Sequence, residues 1–185
     1  VEYRIGKRTV VSNNTTPSNL AIHRIIKEAA EKKIKYLVME VSSHGLDQDR
    51  IKNIELASAV ITNVTRDHFD YHKNYENYIA AKMKIIINIS KNGVLTINTD
   101  DAGAVKFLKP AKKAGIKVNT CSLKNEADIY AVEYSVSRGG MEVKLMVNKK
   151  PAALSCAMTG EHNISNIMCA LSAVVKFTGV KAAVK

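Results

Sequence analysis

Val94-Leu95-Thr96-Ile97 is followed by a polar-faced stretch from Asp101 to Ala114, then Gly115, then Ile116-Lys117-Val118-Asn119-Thr120-Cys121. The outer pieces are short and apolar, as strands are. The middle piece has helical composition and is closed by glycine, a common residue just past a helix end. Strand, helix and strand in that order make a βαβ unit, whose strands run parallel. The same alternation extends toward the N-terminus. Tyr75 to Ile89 is helical by period, and Ala57 to Thr62 is another short apolar run. Tyr36 to Val41 is apolar without alternation, which predicts a strand buried on both faces. Before it, Thr16-Pro17 predicts a helix start, with the hydroxyl as cap and proline at the first helical position. That helix carries Leu20, Ile22, Ile25, Ile26, Ala29 and Ala30 and runs to Lys33.

After Ser122 the pattern changes. Ile129 to Ser137, Gly140 to Asn148 and Ala152 to Met158 read as three strands at short spacing. Arg138-Gly139-Gly140 is a hairpin signal, and Asn148-Lys149-Lys150-Pro151 a second turn. This predicts an antiparallel meander over roughly 123–159. A last helix spans Gly160 to Phe177 and ends at Gly179. The expected fold is α/β: a mostly parallel sheet flanked by helices, with a small antiparallel meander.

The chain has 185 residues, 46% of them apolar, which suits one domain with a real core and excludes a disordered chain. No apolar run approaches the ~20 residues of a spanning helix, and no secretory leader is apparent. Three cysteines at wide spacing (Cys121, Cys156 and Cys169) argue against a disulfide framework or a zinc site, and fit a reducing cytoplasm. The formal charge of +11 raises the question of nucleic acid. The lysines are scattered, as in Lys27, Lys32, Lys33, Lys35 and Lys106, Lys109, Lys112, Lys113, with no block of five or six together. A solvated surface accounts for that pattern better than a binding module.

Polar residues gather just past two of the expected strands, at the carboxyl ends where open α/β sheets bind ligands. One group runs from Glu40 through Ser42, Ser43, His44, Gln48 and Arg50. The other runs from Thr62-Asn63 through Arg66, Asp67, His68 and His72. A carboxylate, imidazoles, amides and guanidinium groups suit a metal ion and an anionic substrate.

The wording of these segments is specific. Asn14-Thr15-Thr16-Pro17, the run from Met39 to Leu46, the run from Thr62 to His72, Ala80-Ala81-Lys82 and the run from Gly160 to Asn166 resemble the Mur ligases, in order and along the whole chain. They are most similar to the MurE type, the UDP-N-acetylmuramoyl-tripeptide synthetases. A folylpolyglutamate synthase, another Mur-like ligase, is the alternative, disfavoured by Asn13-Asn14-Thr15-Thr16-Pro17 and Ser42-Ser43-His44-Gly45-Leu46.

The resemblance implies a P-loop-like central ATP-binding domain, residues 1–185, with its first strand and phosphate loop missing. It implies ATP and Mg2+ as cofactors. It implies UDP-MurNAc-L-Ala-D-Glu and an amino acid, diaminopimelate or lysine, as partners in the full-length enzyme, with no nucleic acid and no membrane span. It places Glu40, His68 and a carbamylated Lys82 around the metal, with Lys82 and His68 catalytic. Asn14, Thr15, Thr16, Ser42, Gln48 and Arg50 fall where the substrate is held, and Asn163 and Asn166 where the nucleotide is held. Lys84, about 200° round a helix from Lys82, is expected to point elsewhere and to matter little. The phosphate-loop pattern Gly-x-x-x-x-Gly-Lys-[Ser/Thr] occurs nowhere in the sequence, so the chain is expected to be an inactive fragment by itself.

Overall fold

The structure is a computed structural model, and it describes residues 1–65 and 69–183. The chain divides into two compact units: Val1–Glu55 with Asp67–Asn88, and Leu56–Arg66 with Ile89–Lys185.

The first unit opens on an antiparallel hairpin, β1 (Glu2–Ile5) and β2 (Arg8–Val11), which the sequence pattern does not announce. Helix α1 (Asn19–Glu31) follows. Its cap is Ser18, whose hydroxyl accepts from Ala21 N, and not Thr16; Pro17 lies before the helix. Ile22 and Ala29, seven residues apart, are buried on one face. Tyr36 to Val41 forms no strand, contrary to expectation. A strand needs a neighbouring strand to complete its ladder, and neither of the sheets among the described residues takes in this segment. Tyr36 and Leu37 are exposed, and Val38 is 94% exposed. With α1 and β1 they border a groove of about 410 Å3. Then come α2 (Ser43–Asp47), α3 (Phe69–His72) and α4 (Tyr75–Met83), the last continued by a 3-10 turn over Lys84–Asn88. The Asn88 amide closes this turn by donating to the carbonyls of Ile51 and Ile54.

The second unit is built on one six-stranded sheet. Its strands are β3 (Leu56–Ile61), β4 (Ile89–Asn98), β5 (Lys117–Ser122), β6 (Ile129–Ser137), β7 (Gly140–Val147) and β8 (Lys150–Cys156). Neighbours follow chain order; β3 to β6 pair parallel, and β6 to β8 antiparallel. The expected parallel sheet and meander are therefore one continuous sheet. β6 meets β5 only at Cys121↔Ile129 and Ser122↔Tyr130. A short connection can join these parallel strands because β6 starts beside the end of β5 and runs on past it. Asp128 pins that start, accepting from Thr120 N and Oγ1.

The helix expected over Asp101 to Ala114 is two short ones, α5 (Ala102–Val105) and α6 (Leu108–Lys113). Pro110 has no N–H for the Lys106 carbonyl, and its ring would clash there, so the ladder cannot run through. The break lets Phe107 bury completely. β4 begins at Ile89 and contains Gly93, where the register against β3 shifts. A Cβ on Gly93 would lie 2.9 Å from the carbonyl oxygens of Leu56 and Ser90, so only glycine allows this bulge. Helix α7 (Glu161–Thr178) buries Ile164, Met168, Cys169, Leu171 and Ser172 against the core of the sheet. A terminal turn, α8 (Val180–Ala183), follows it. Where α7 meets β4, the buried hydroxyls of Ser172 and Thr96 pair at 2.9 Å. All three cysteines are free, with Cys121 and Cys169 buried. The lysines around α1 and α6 are exposed, as the scattered pattern predicts. Among the described residues no helix is long and apolar enough to cross a membrane.

Candidate functional site

The first unit gathers most of the residues singled out above. Thr16 is fully buried. Its hydroxyl donates to the Glu40 carbonyl at 3.1 Å, with the Ser42 hydroxyl at 3.3 Å, and it accepts from Ser42 N at 2.9 Å. Ser42 caps α2 by accepting from Gly45 N at 3.0 Å. Gly45 is required here because an added Cβ would lie 2.8–2.9 Å from three Thr16 side-chain atoms. Thr16 thus welds the segment before α1 to the start of α2, and its hydroxyl is used up in doing so.

Arg50 lies past α2. Its Nη1 donates to the Thr16 carbonyl at 2.7 Å, while Nε and Nη2 both donate to Gln48 Oε1, at 3.0 and 2.7 Å. Ser42, Gln48, Arg50 and Thr16 therefore form one connected polar group, as the sequence reading grouped them. Thr15 is half-buried and borders the groove. Asn14 is exposed, and its backbone is tied to the Ser12 hydroxyl.

Glu40 is exposed, and its carboxylate has no partner among the described residues. An open carboxylate is the hard oxygen donor that Mg2+ takes. Lys82, near the end of α4, is half-buried with Nζ 5.1 Å from the Tyr78 ring centroid. His68, with Arg66 and Asp67, lies outside the described residues.

Ser43, His44 and His72, which the sequence places in the two polar runs without a site role, and Tyr71 support this group. His72 and Ser43, both buried, share a hydrogen bond of 2.9 Å between Nε2 and Oγ. The Tyr71 ring lies 4.0 Å from the His44 ring and edge-on to His72 at 4.7 Å. Lys84 is not an idle surface lysine. It donates to Asp47 Oδ1 at 2.9 Å and to its carbonyl at 3.3 Å. The hydrogen bond from Lys84, with one from Tyr71, holds the Asp47 carboxyl below its ordinary pKa, and Asp47 in turn raises that of Lys84. Two separated charges in one sequence give no local sign of such a pair.

The second unit holds the other candidates. Asn163, in the first turn of α7, donates to the Thr159 carbonyl at 2.7 Å, and Asn166 donates to Asn163 Oδ1 at 3.3 Å. Neither caps the helix; Gly160 occupies that position. The segment after β3 is held at Val64, whose N–H donates to Asp101 Oδ1 at 3.0 Å. The same oxygen caps α5 through Ala104 N at 2.6 Å.

Residues 1–174 match the Mur ligase middle domain. The chain belongs to that family. A UDP-N-acetylmuramoyl-L-alanyl-D-glutamate–2,6-diaminopimelate ligase from Clostridium perfringens is 34% identical over 183 residues, covering 96% of this chain and 37% of its own. A solved structure of a ligase of the same name superposes with a TM-score of 0.84 at 30% identity, over 95% of this chain and 37% of the other. A MurF ligase from Thermotoga maritima, solved with ADP, shares the fold at 15% identity and a TM-score of 0.58, over 77% of this chain and 34% of that one. This Mur ligase chain spans a little over a third of the length of the relatives it matches.

Proposed function

We propose that this chain is the central-domain part of an ATP-dependent amide ligase of the tripeptide-synthetase type. In that reading the full-length enzyme adds the third amino acid to UDP-MurNAc-L-Ala-D-Glu in the cytoplasm, and its similarity to 2,6-diaminopimelate ligases favours that amine over lysine. The observation that carries the reading is the group Thr16, Ser42, Gln48 and Arg50, drawn from separate stretches and hydrogen-bonded into one polar group.

Hydroxyl, amide and guanidinium groups are what a sugar, a peptide and a carboxylate need. Ser42, Gln48 and Arg50, with Asn14 and Thr15, hold the UDP-sugar dipeptide, and Thr16 fixes their backbone. The reaction makes an acyl phosphate from the substrate carboxylate. Amine attack then gives a tetrahedral intermediate that loses phosphate to leave the amide. The protein's part is to position groups and balance charge. Glu40, His68 and Lys82 are the residues to hold Mg2+, which when bound neutralises phosphate charge. Carbamylation of Lys82 replaces an ammonium by an anionic carbamate, which suits a cation where an ammonium would repel it. Asn163 and Asn166 are assigned to the nucleotide.

The test is phosphate release by the full-length enzyme with Mg2+, ATP, the UDP-dipeptide and diaminopimelate. Expected is turnover on the order of 1–100 per second that needs both the dipeptide and the amine. ATP turnover indifferent to the UDP-dipeptide would overturn the reading. The 185-residue chain alone, which has no phosphate-loop motif, is expected to show none.

A further inference from the structure

Arg50 is one end of a longer chain of hydrogen bonds. Lys84 Nζ donates to Asp47 Oδ1 (2.9 Å), Tyr71 OH donates to Asp47 Oδ2 (3.1 Å), Gln48 Nε2 donates to Tyr71 OH (3.3 Å), and Gln48 Oε1 accepts twice from Arg50. All of these residues lie in the first unit.

The direction of this chain is set by chemistry. An ionised carboxylate only accepts, so the single Tyr71 proton goes to Asp47. The Tyr71 oxygen is then left to accept, and it faces the Gln48 NH2. That orients the Gln48 carbonyl toward Arg50; the flipped amide would set donor against donor. Arg50 has five N–H donors. Three are engaged, by Gln48 and the Thr16 carbonyl, which leaves one on each terminal nitrogen. Two free N–H groups on one planar cation suit a carboxylate or a phosphate. The Tyr71 ring is held independently, by packing on His44 and His72.

We propose that Tyr71 is a positioning residue for substrate binding: with Asp47 and Lys84 behind it, it orients Gln48 and so presents the free edge of Arg50 to an anionic group of the UDP-dipeptide. This rests on the ligase reading above. Tyr71→Phe keeps the ring and its packing and removes only the hydroxyl, so it isolates the relay.

The experiment is steady-state kinetics of the full-length ligase. Tyr71→Phe is expected to raise KM for the UDP-dipeptide about tenfold, the loss of one hydrogen bond's worth of ordering at a charged site. KM for ATP and the melting temperature should stay at their wild-type values. Lys84→Ala, at the exposed far end, is expected to raise the same KM about twofold, less so at high salt. In the double variant the relay is already cut at Tyr71, so its KM should equal that of Tyr71→Phe. A Tyr71→Phe enzyme with wild-type KM for the dipeptide overturns the proposal. So do equal rises in both KM values, or strictly multiplicative effects in the double variant. If Tyr71→Phe does not fold, Lys84→Ala decides, and an unmoved KM overturns the proposal. Wild-type enzyme that does not turn over the UDP-dipeptide overturns the ligase reading, and the relay with it.

Discussion

Both units of this chain bury apolar residues, Ile22, Leu46 and Ile51 in the first among them, but they differ in what sets their candidate residues. The second is a continuous sheet under one long helix, with Leu95, Ile97, Phe107, Val147 and Cys169 fully buried. The first has a two-stranded hairpin and a 13-residue helix followed by shorter ones. Its candidate site is set by side-chain hydrogen bonds: Thr16 to Ser42, Arg50 to Gln48 and Thr16, Lys84 to Asp47, His72 to Ser43. Apolar burial is non-directional and fixes shape, whereas hydrogen bonds fix angles. Substitutions of apolar residues in the core of the second unit should therefore cost stability, and those of the exposed site side chains in the first should cost substrate binding or turnover at nearly unchanged stability.

The largest effect is expected at Lys82 in the full-length enzyme. Lys82→Ala should abolish ligation with an unchanged melting temperature, and added bicarbonate should not rescue it, since no amine remains to be carbamylated. Lys82→Glu should restore a little. Wild-type turnover by Lys82→Ala would remove this residue from the chemistry.

Next comes the core of the second unit. Phe107→Ala leaves a cavity at a fully buried site and should cost about 3–5 kcal/mol in urea unfolding. KM for the UDP-dipeptide should stay at the wild-type value for the fraction that remains folded. A shifted KM would break the contrast between the units.

Gly45→Ala tests the first unit's weld. The new methyl meets Thr16 at 2.8–2.9 Å and must displace it or α2, at about 1–3 kcal/mol. Here KM for the UDP-dipeptide should rise as well, because Ser42 and Arg50 are both tied to Thr16. Stability loss without a KM change would mean that the weld is purely structural.

The smallest effect is a pH dependence. Lys84, and after it Tyr71, lower the pKa of Asp47 from its ordinary 3.8. A lowered carboxyl favours the folded state above its unfolded pKa, and that contribution is lost as pH falls through the still lower folded value. The pair is solvent-exposed and screened, so the loss should be below about 1 kcal/mol. Comparing wild type with Lys84→Ala between pH 5 and pH 2 (a window set by that downward shift) checks the sign: the stability difference should shrink toward acid.

Much of this architecture was legible in the residues alone. The βαβ signal, the meander with its turn at Arg138-Gly139-Gly140, and the last helix are local patterns, each carried by residues close in sequence. The segments around Thr16, Ser42 and Arg50 were singled out together because their wording is that of a family, and the fold hydrogen-bonds them into one group. Other features depend on partners far along the chain. Tyr36 to Val41 has the composition of a buried strand, but composition does not supply a neighbouring strand, and the segment joins neither sheet among the described residues. Thr16 looked like a helix cap, yet its hydroxyl is taken by Glu40 and Ser42, more than twenty positions on, and Ser18 caps instead. Lys84 looked like surface until α4 and its 3-10 extension brought it to Asp47, 37 positions away. Periodicity and composition report which surfaces a segment can bury. Which hydrogen-bond donor meets which acceptor is set by folding together distant stretches, and no local pattern encodes it.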